Sequence, residues 1–186
     1  MEKIEVPGSK AYRLVYPRLV VLVSCIDPET GKPNIITIAW AAPLSARPPL
    51  VGILVAPHRY SHELISKSRE FVINLPPVEI LDKAIKCGRT SGRRHDKFSE
   101  FGLTAKPAKT VKSPIIEECV AHLECKLADQ LTMGDHTLFV GEVVAAYANE
   151  GMFDGESMNP EKFHPIYQVS GDSYATLREE ILKPEL

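Results

Sequence analysis

The segment Asn34–Ala42 alternates bulky and small side chains in a way that could accommodate a flat ring. If the segment is one strand, successive residues point to opposite faces. One face is bulky and suited to core packing: Ile36, Ile38 and Trp40. The other face is small: Thr37, Ala39 and Ala41. Small side chains let a ring approach the backbone N–H and C=O groups, although packing of this face against a helix explains the same pattern.

Two segments carry cations at positions where an anion could bind. Pro57–Ser61 leads into a predicted helix, so free N–H groups lie beside the Arg59 guanidinium and the Ser61 hydroxyl. Lys86–Lys97 contains five Lys and Arg residues against one aspartate, with two glycines and two hydroxyl side chains. Both segments predict phosphate binding. The alternatives are a capped surface helix for the first, and a solvated loop or a salt-bridged subunit contact for the second.

Histidines provide a further set of candidates. His136 stands at the head of a predicted strand, where it could orient a ligand or move a proton near neutral pH; a turn histidine without chemistry is the alternative. His58 and His62 are four residues apart and could share a helix face, but no third ligand lies nearby in sequence, and we predict no metal. The chain also lacks the GxSxG, HExxH, P-loop and GxGxxG motifs.

The elements that must position these residues are mostly strands. The predicted strands are Leu19–Ile26, Asn34–Ala42, Leu50–Val55, Phe71–Leu75, Glu118–Leu127 and His136–Tyr147. The predicted helices are Ser61–Arg69, with Ser61 as N-cap, and Val78–Lys86. Because the strands are many, the helices few and the connections short, we predict a mainly β fold, a barrel with short peripheral helices.

The clearest β pattern lies in Glu118–Leu127, where apolar and polar residues alternate. The apolar face is Cys119, Ala121, Leu123, Cys125 and Leu127. The polar face is His122, Glu124 and Lys126. A period of two predicts a strand buried on one face only. In the strand that follows, Gly141 predicts a bulge or a close approach of another element.

Composition narrows the class of protein. With 186 residues, the chain fits one domain spanning 1–186. The net charge of −2 gives no general attraction to nucleic acid or to a membrane surface, and no apolar run is long enough to span a bilayer. Four cysteines without a CxxC pair predict buried free thiols, which are typical of a reducing compartment, so we expect a cytoplasmic protein.

Taken in order, five segments resemble the flavin reductase-like family of FMN-binding split barrels, from about Leu19 to Tyr174. The segments are NIITIAWAAPLSARPPLVGILV, RYSHELISKSREFVINLP, CGRTSGRRHDKF, GDHTLFVGEV and the late stretch from Pro165 to Tyr174. Their order and spacing carry the resemblance more than any one of them does. The fold implied is a split β-barrel.

The resemblance implies a homodimer, with FMN in a groove between one barrel and the partner subunit. The residues implied at the isoalloxazine ring are Asn34, Thr37, Ile38, Ala39 and Trp40. Those implied at the phosphate end are Arg59, Ser61 and His62, with further polar contacts from Ser91, Arg93 and Lys97. His136 matches the histidine near the flavin edge, where NADH or NADPH is expected to stack and deliver hydride. The electrons would then pass to free flavin, a ferric complex or a partner protein.

Three alternatives remain open at this point. The protein could be an FMN electron carrier that does not react with a nicotinamide. It could be a barrel-shaped binding module without cofactor, whose basic loop binds an acidic partner. It could also be a related split-barrel oxidase that acts on a vitamin B6 phosphate, although the five segments resemble the reductase branch more closely.

Overall fold

The computed structural model describes residues 1–177. The strands are β1 Arg18–Leu19, β2 Val21–Ile26, β3 Pro33–Ile38, β4 Ala41–Ala46, β5 Pro49–Val55, β6 Glu70–Leu75, β7 Ala105–Lys106, β8 Ile115–Ile116, β9 Ala121–Met133, β10 His136–Ala148, β11 Tyr167–Ser170 and β12 Ser173–Ala175. The α-helices are α1 Tyr60–Ser68, α2 Leu81–Arg89 and α3 Lys97–Phe101. Short 3-10 helices cover Gly8–Val15 and Val78–Ile80. The predicted single domain reaches residue 186, so its last nine positions lie outside the described residues.

Seven antiparallel strands form one sheet in the order β3-β2-β6-β9-β10-β5-β4. The two edge strands, β3 and β4, are consecutive in the chain. Between them, the Leu54 N–H donates to the Trp40 carbonyl at 2.9 Å, which brings the end of β3 to the opposite end of the sheet. The sheet therefore curls into a barrel that is split next to Trp40, and the predicted mainly β barrel is confirmed.

The barrel interior is apolar, and one side of α1 packs against it. Phe71, Ile53 and Phe139 are fully buried there, and full burial of such side chains stabilises the fold by about 1.5–3 kcal/mol each. Leu64 and Ile65 of α1 belong to the same cluster. Helix α1 thus packs against the interior, whereas α2 and α3 pack with a second cluster on the outer side of β2 and β3.

The predicted close approach at Gly141 is confirmed. The β9–β10 register shifts between Val140 and Gly141, as expected for a bulge. A Cβ at Gly141 would lie 2.6 Å from the Phe71 ring and 2.9 Å from Cys125 Cβ, so only glycine lets the strands pack this closely.

The prediction of one strand over Asn34–Ala42 is wrong. Strand β3 ends at Ile38 and β4 begins at Ala41, so Ala39 and Trp40 form the corner where the barrel splits. Alternation still holds within β3, because Ile36 and Ile38 face the barrel interior. On the other side, the Thr37 hydroxyl donates to the Ala84 carbonyl of α2. Part of the small face therefore packs against a helix.

The prediction of a strand exposed on one side over Glu118–Leu127 is also wrong in part. Strand β9 begins at Ala121, and Cys119 lies in the outer cluster while Cys125 lies in the barrel interior. Both His122 and Glu124 are buried: residues 109–111 cover Glu124, and His122 Nδ1 lies 2.9 Å from Asn74 Oδ1. Alternation identified the strand, but it could not show that its polar face would be covered.

Helix α1 begins one residue earlier than predicted, with Arg59 at the N-cap. The Ser61 side chain does not cap the helix; its Oγ accepts a hydrogen bond from Asn34 Nδ2 at 2.7 Å. All four cysteines are buried free thiols, as predicted.

Candidate functional site

A cavity of about 320 Å³, which we call the central cavity, opens where the barrel splits. Its lining comes from the end of β3 and the corner after it, from the end of β5, and from single residues elsewhere. The lining residues are 36–40, 54–56, His58, Arg59, Gly88, His136 and Gln168. This cavity brings together Thr37, Ile38, Ala39, Trp40 and His136, which are separated by up to about 100 residues in the chain.

Helix α2 leaves the small face open because of Gly88. A Cβ at Gly88 would lie 3.0 Å from Thr37 Cβ, so the helix can approach β3 closely without filling the cavity. Another cavity, of about 240 Å³, continues along Thr37, Ala39 and Gly88 towards the β11–β12 hairpin. The two explanations of the small face thus hold at adjoining positions: the Thr37 hydroxyl contacts the helix, and the same face lines a cavity.

Two aromatic rings stack at the edge of the central cavity. The Trp40 indole and the His136 imidazole have centroids 4.7 Å apart and planes inclined by 28°. His136 Nδ1 is 2.7 Å from Asp135 Oδ1, and this hydrogen bond lowers the pKa of the Asp135 carboxyl. The carboxylate and the indole together fix the orientation of the histidine ring.

A second cavity of about 250 Å³, the anion pocket, adjoins the first. Four Lys and Arg residues line it: Arg59, Arg89, Arg94 and Lys97. Among the residues that the structure describes, no Asp or Glu lines the pocket. The two cavities share Ile36, His58, Arg59 and Gly88, so Arg59 stands at their junction. A slot with small and apolar side chains along β3 therefore leads into a cation-rich end.

Lys97 is the buried cation of the anion pocket, with only 4% of its surface exposed. Its ammonium donates to the Ile35 carbonyl at 2.6 Å and to the Cys87 carbonyl at 2.7 Å. Burial lowers the pKa of Lys97 to about 8. An ammonium has three donors, so one N–H remains for an anion, whose charge would offset the desolvation.

The Asn34 side chain forms another part of this wall and is 3% exposed. Its Nδ2 donates to Ser61 Oγ, while its buried Oδ1 accepts no hydrogen bond from residues 1–177. Gly92 lies against this amide, since a Cβ at Gly92 would overlap Oδ1 and lie 2.7 Å from Cγ. The residue type at position 92 thus decides how closely the loop after α2 approaches β3.

The structure brings most of the predicted site residues together. In the central cavity lie Thr37, Ile38, Ala39, Trp40 and His136. In the anion pocket lie Asn34, Ser61, Ser91 and Lys97, and Arg59 lines both cavities.

His62 and Arg93 line neither of these two cavities. His62 Nε2 is 2.8 Å from Thr137 Oγ1, and its ring packs edge-on against Phe139, so burial lowers the pKa of His62. Arg93 forms an ion pair with Glu63, and its guanidinium lies 4.6 Å from the centroid of the Tyr60 ring. The phosphate-end contact predicted for His62 and the polar contact with the cofactor predicted for Arg93 stay predictions, since each side chain is paired within the protein.

Sequence reasoning missed His58, Gly88, Arg89, Arg94 and Gln168 as cavity residues. Arg89 and Arg94 lie within the basic segment, where composition indicated a site without indicating which side chains face it. Gln168 comes from β11 and had no signal of its own. In residues 1–177, no three His, Cys, Asp or Glu side chains are grouped so that they could hold a metal ion.

Comparison with known proteins finds one family that matches most of the chain. Residues 12–166 match the model of the flavin reductase like domain. A flavin reductase of Pseudomonas putida is 32% identical over 128 residues, which is 69% of this chain and 71% of that protein. None of the helices in residues 1–177 has the length and apolar character needed to cross a membrane.

Two solved structures superpose closely on this one. Flavoredoxin from Methanosarcina acetivorans has a TM-score of 0.86 and 29% identity, covering 98% of this chain and 95% of that chain. The FMN-binding protein from Thermus thermophilus, solved with bound p-hydroxybenzaldehyde, has a TM-score of 0.83 and 30% identity, covering 99% and 98%. With its split barrel and a domain match from residue 12 to residue 166, the chain belongs to the flavin reductase-like family.

Proposed function

We propose that the protein binds FMN in the central cavity and the anion pocket, and passes electrons from NADH or NADPH to an acceptor. The observation that carries this proposal is the junction at Arg59, where a slot lined along β3 by small and apolar side chains meets a pocket that, within residues 1–177, is lined by four cations and no carboxylate. FMN has the matching shape, with a flat ring system at one end and a phosphate at the other.

The residues present fit FMN. The small side chains of Thr37 and Ala39, together with Gly88, leave room for a ring along β3. Arg59, Arg94 and Lys97 would hold the phosphate, and Asn34 Oδ1 is a buried acceptor to which none of residues 1–177 donates. When bound, the flavin supplies the hydride and single-electron chemistry, while the protein supplies orientation and exclusion of water.

His136 is the proposed catalytic residue. It lines the central cavity, and its ring is held between the Trp40 indole and the Asp135 carboxylate. We assign it the role of orienting the nicotinamide at the open side of the cavity. The chain needs no nucleophile for this reaction, which agrees with the absence of nucleophile motifs in the sequence.

We also propose a homodimer, on the evidence of an apolar face. The strand residues Leu44, Leu131 and Met133 are between 40% and 47% exposed. A cavity of about 510 Å³ with a mainly apolar lining adjoins Leu44 and shares Trp40 with the central cavity. A second copy of the chain would cover this face and close the central cavity. Light scattering of the purified protein tests this, since a monomer at micromolar concentration would contradict it.

The proposed acceptor is free flavin, a ferric complex or a partner protein. The similar flavin reductase and flavoredoxin favour different uses of a flavin, the first as an enzyme and the second as a carrier. Rapid exchange of bound FMN with free flavin would favour a reductase, whereas slow exchange would favour a carrier.

The buried free thiols suit a reducing compartment, so we propose that the protein is cytoplasmic.

The decisive experiment starts from the visible spectrum of the purified protein with and without added FMN. Anaerobic stopped-flow mixing with NADH and then with NADPH should bleach the bound flavin. A protein that stays colourless and ignores FMN would favour a cofactor-free binding module. A protein that binds FMN but reacts with neither nicotinamide would be a carrier, and the reductase proposal would fail.

A further inference from the structure

Two neighbouring arginines in the loop after α2 have different surroundings. Arg94 lines the anion pocket. Arg93 does not line it and contacts α1, where it pairs with Glu63 and stacks over the Tyr60 ring. The two residues belong to one hydrogen-bonded turn, in which the Arg94 N–H donates to the Ser91 carbonyl at 3.0 Å, so a displacement of Arg93 would also displace Arg94.

The loop is held on both sides of Arg94. Before it, buried Gly92 lies against the Asn34 amide. After it, the His95 N–H donates to the Ser91 carbonyl at 3.2 Å, and His95 Nδ1 is 2.8 Å from Glu100 Oε2. The Arg93 side chain ties this loop to α1 through the ion pair with Glu63 and through stacking on the Tyr60 ring.

We propose that Arg93 is a positioning residue: by holding the loop against Glu63 and Tyr60 of α1, it keeps Arg94 and Ser91 at the anion pocket, and so gives the site its preference for a flavin that carries a phosphate. The inference rests on the proposed binding of FMN. It assigns Arg93 a role that does not involve contact with the ligand.

The substitution Glu63→Gln separates this role from direct phosphate binding, because the two roles predict opposite changes in the affinity for FMN. If Arg93 bound the phosphate, loss of the Glu63 carboxylate would free the guanidinium and remove a negative charge near the anion, so FMN would bind more tightly. If Arg93 positions the loop through Glu63, the same substitution loosens the loop and FMN binds more weakly.

The experiment measures equilibrium binding of FMN and riboflavin by quenching of flavin fluorescence. The proteins compared are the wild type, Glu63→Gln, Arg93→Ala and, as a matched control, Lys67→Ala. Lys67 also pairs with Glu63, at 3.1 Å, but it lies on α1 away from the loop. Thermal unfolding followed by circular dichroism verifies that each variant is folded.

We expect Glu63→Gln and Arg93→Ala to weaken FMN binding by roughly two- to fivefold, the range for an exposed ion pair. Riboflavin lacks the phosphate, so its affinity should not change in any variant, and Lys67→Ala should behave as the wild type. Equal or tighter FMN binding by folded Glu63→Gln overturns the positioning role while leaving FMN binding itself intact. A wild type that binds neither flavin overturns both proposals together.

Discussion

Gly92 lies directly against the buried amide of Asn34, at a distance that leaves no space for a side chain. A Cβ at position 92 would overlap Asn34 Oδ1 and lie 2.7 Å from Cγ. The amide cannot easily move, since its Nδ2 donates to Ser61 Oγ at 2.7 Å and the residue is buried. This contact brings the basic loop to β3 and closes one wall of the anion pocket.

Gly92→Ala should therefore displace the loop. We expect weaker FMN binding, and a loss of unfolding free energy of about 1–3 kcal/mol, as for other overpacked positions. Urea unfolding and fluorescence titration with FMN measure the two effects. Gly8→Ala is the matched control, because nothing lies within 4 Å of a Cβ built there. An alanine variant with wild-type stability and FMN affinity would show that the loop is not held by this contact.

The lowered pKa of Lys97 predicts how the affinity for FMN depends on pH. Burial lowers the pKa of this ammonium to about 8, and the titratable groups around it are the Arg59 guanidinium and the thiols of Cys25 and Cys87. Burial raises the pKa of both thiols to about 11, so they stay neutral in this range. Between pH 7 and pH 9 the ammonium loses its proton, and FMN affinity should fall as pH rises, since a neutral amine attracts phosphate less strongly.

The measurement is a series of FMN titrations across that pH range, repeated with riboflavin and with Lys97→Met. Riboflavin affinity should stay constant, because it has no phosphate to attract. In the methionine variant FMN affinity should be lower and no longer change with pH. A pH dependence that persists in this variant would assign the titration to another group.

His136→Ala tests the catalytic role proposed for this residue. The substitution removes the imidazole that stacks on Trp40 at 4.7 Å but leaves all the residues of the anion pocket in place. FMN should stay bound with similar affinity, while stopped-flow reduction by NADH or NADPH should become slower. Asp135→Asn, which weakens only the hydrogen bond to Nδ1, should have a smaller effect. Loss of FMN with normal reduction of the remainder would instead make His136 a flavin-binding residue.

Glu124 predicts the acid stability of the fold. Burial by itself would raise the pKa of this carboxyl, but hydrogen bonds outweigh it and hold the pKa at about 2. The donors are the Lys109, Thr110 and Val111 N–H groups and the Tyr147 and Thr110 hydroxyls. Because the folded pKa is depressed, this stabilisation is complete above about pH 4.5, the ordinary value for a glutamate, and is lost as pH falls towards 2.

Glu124→Gln should destabilise the protein at pH 7 by about 1–3 kcal/mol, since one oxygen acceptor becomes a donor that faces N–H groups. Between pH 5 and pH 3 the variant should lose less stability than the wild type does. Urea unfolding at each pH measures the loss of stability at pH 7 and its change between pH 5 and pH 3. Glu142→Gln, on the exposed side of β10, is the control and should match the wild type. Equal acid sensitivity of the wild type and Glu124→Gln would show that another carboxyl is responsible.

The sequence predicted the strands and helices because their signals are local and periodic. The alternation of apolar and polar residues predicted β9, and runs of β-branched residues predicted β2 and β5. A single glycine in β10 predicted the close approach at Gly141. The five family-like segments indicated the fold and grouped most of the cavity residues. The break at Ala39 and Trp40 was not visible, because those residues continue the same pattern while the sheet curls.

The sequence by itself determined that this chain is a β-barrel with a small-residue strand and a strongly basic loop after α2. Only the tertiary structure decided that Arg94 lines the pocket while Arg93 pairs with Glu63, and that Glu124 is buried beneath residues 109–111. The physical reason is the same in both cases. Periodicity gives direction to side chains within a strand, whereas an irregular loop has no period, and only contacts with elements distant in the chain determine where its side chains point.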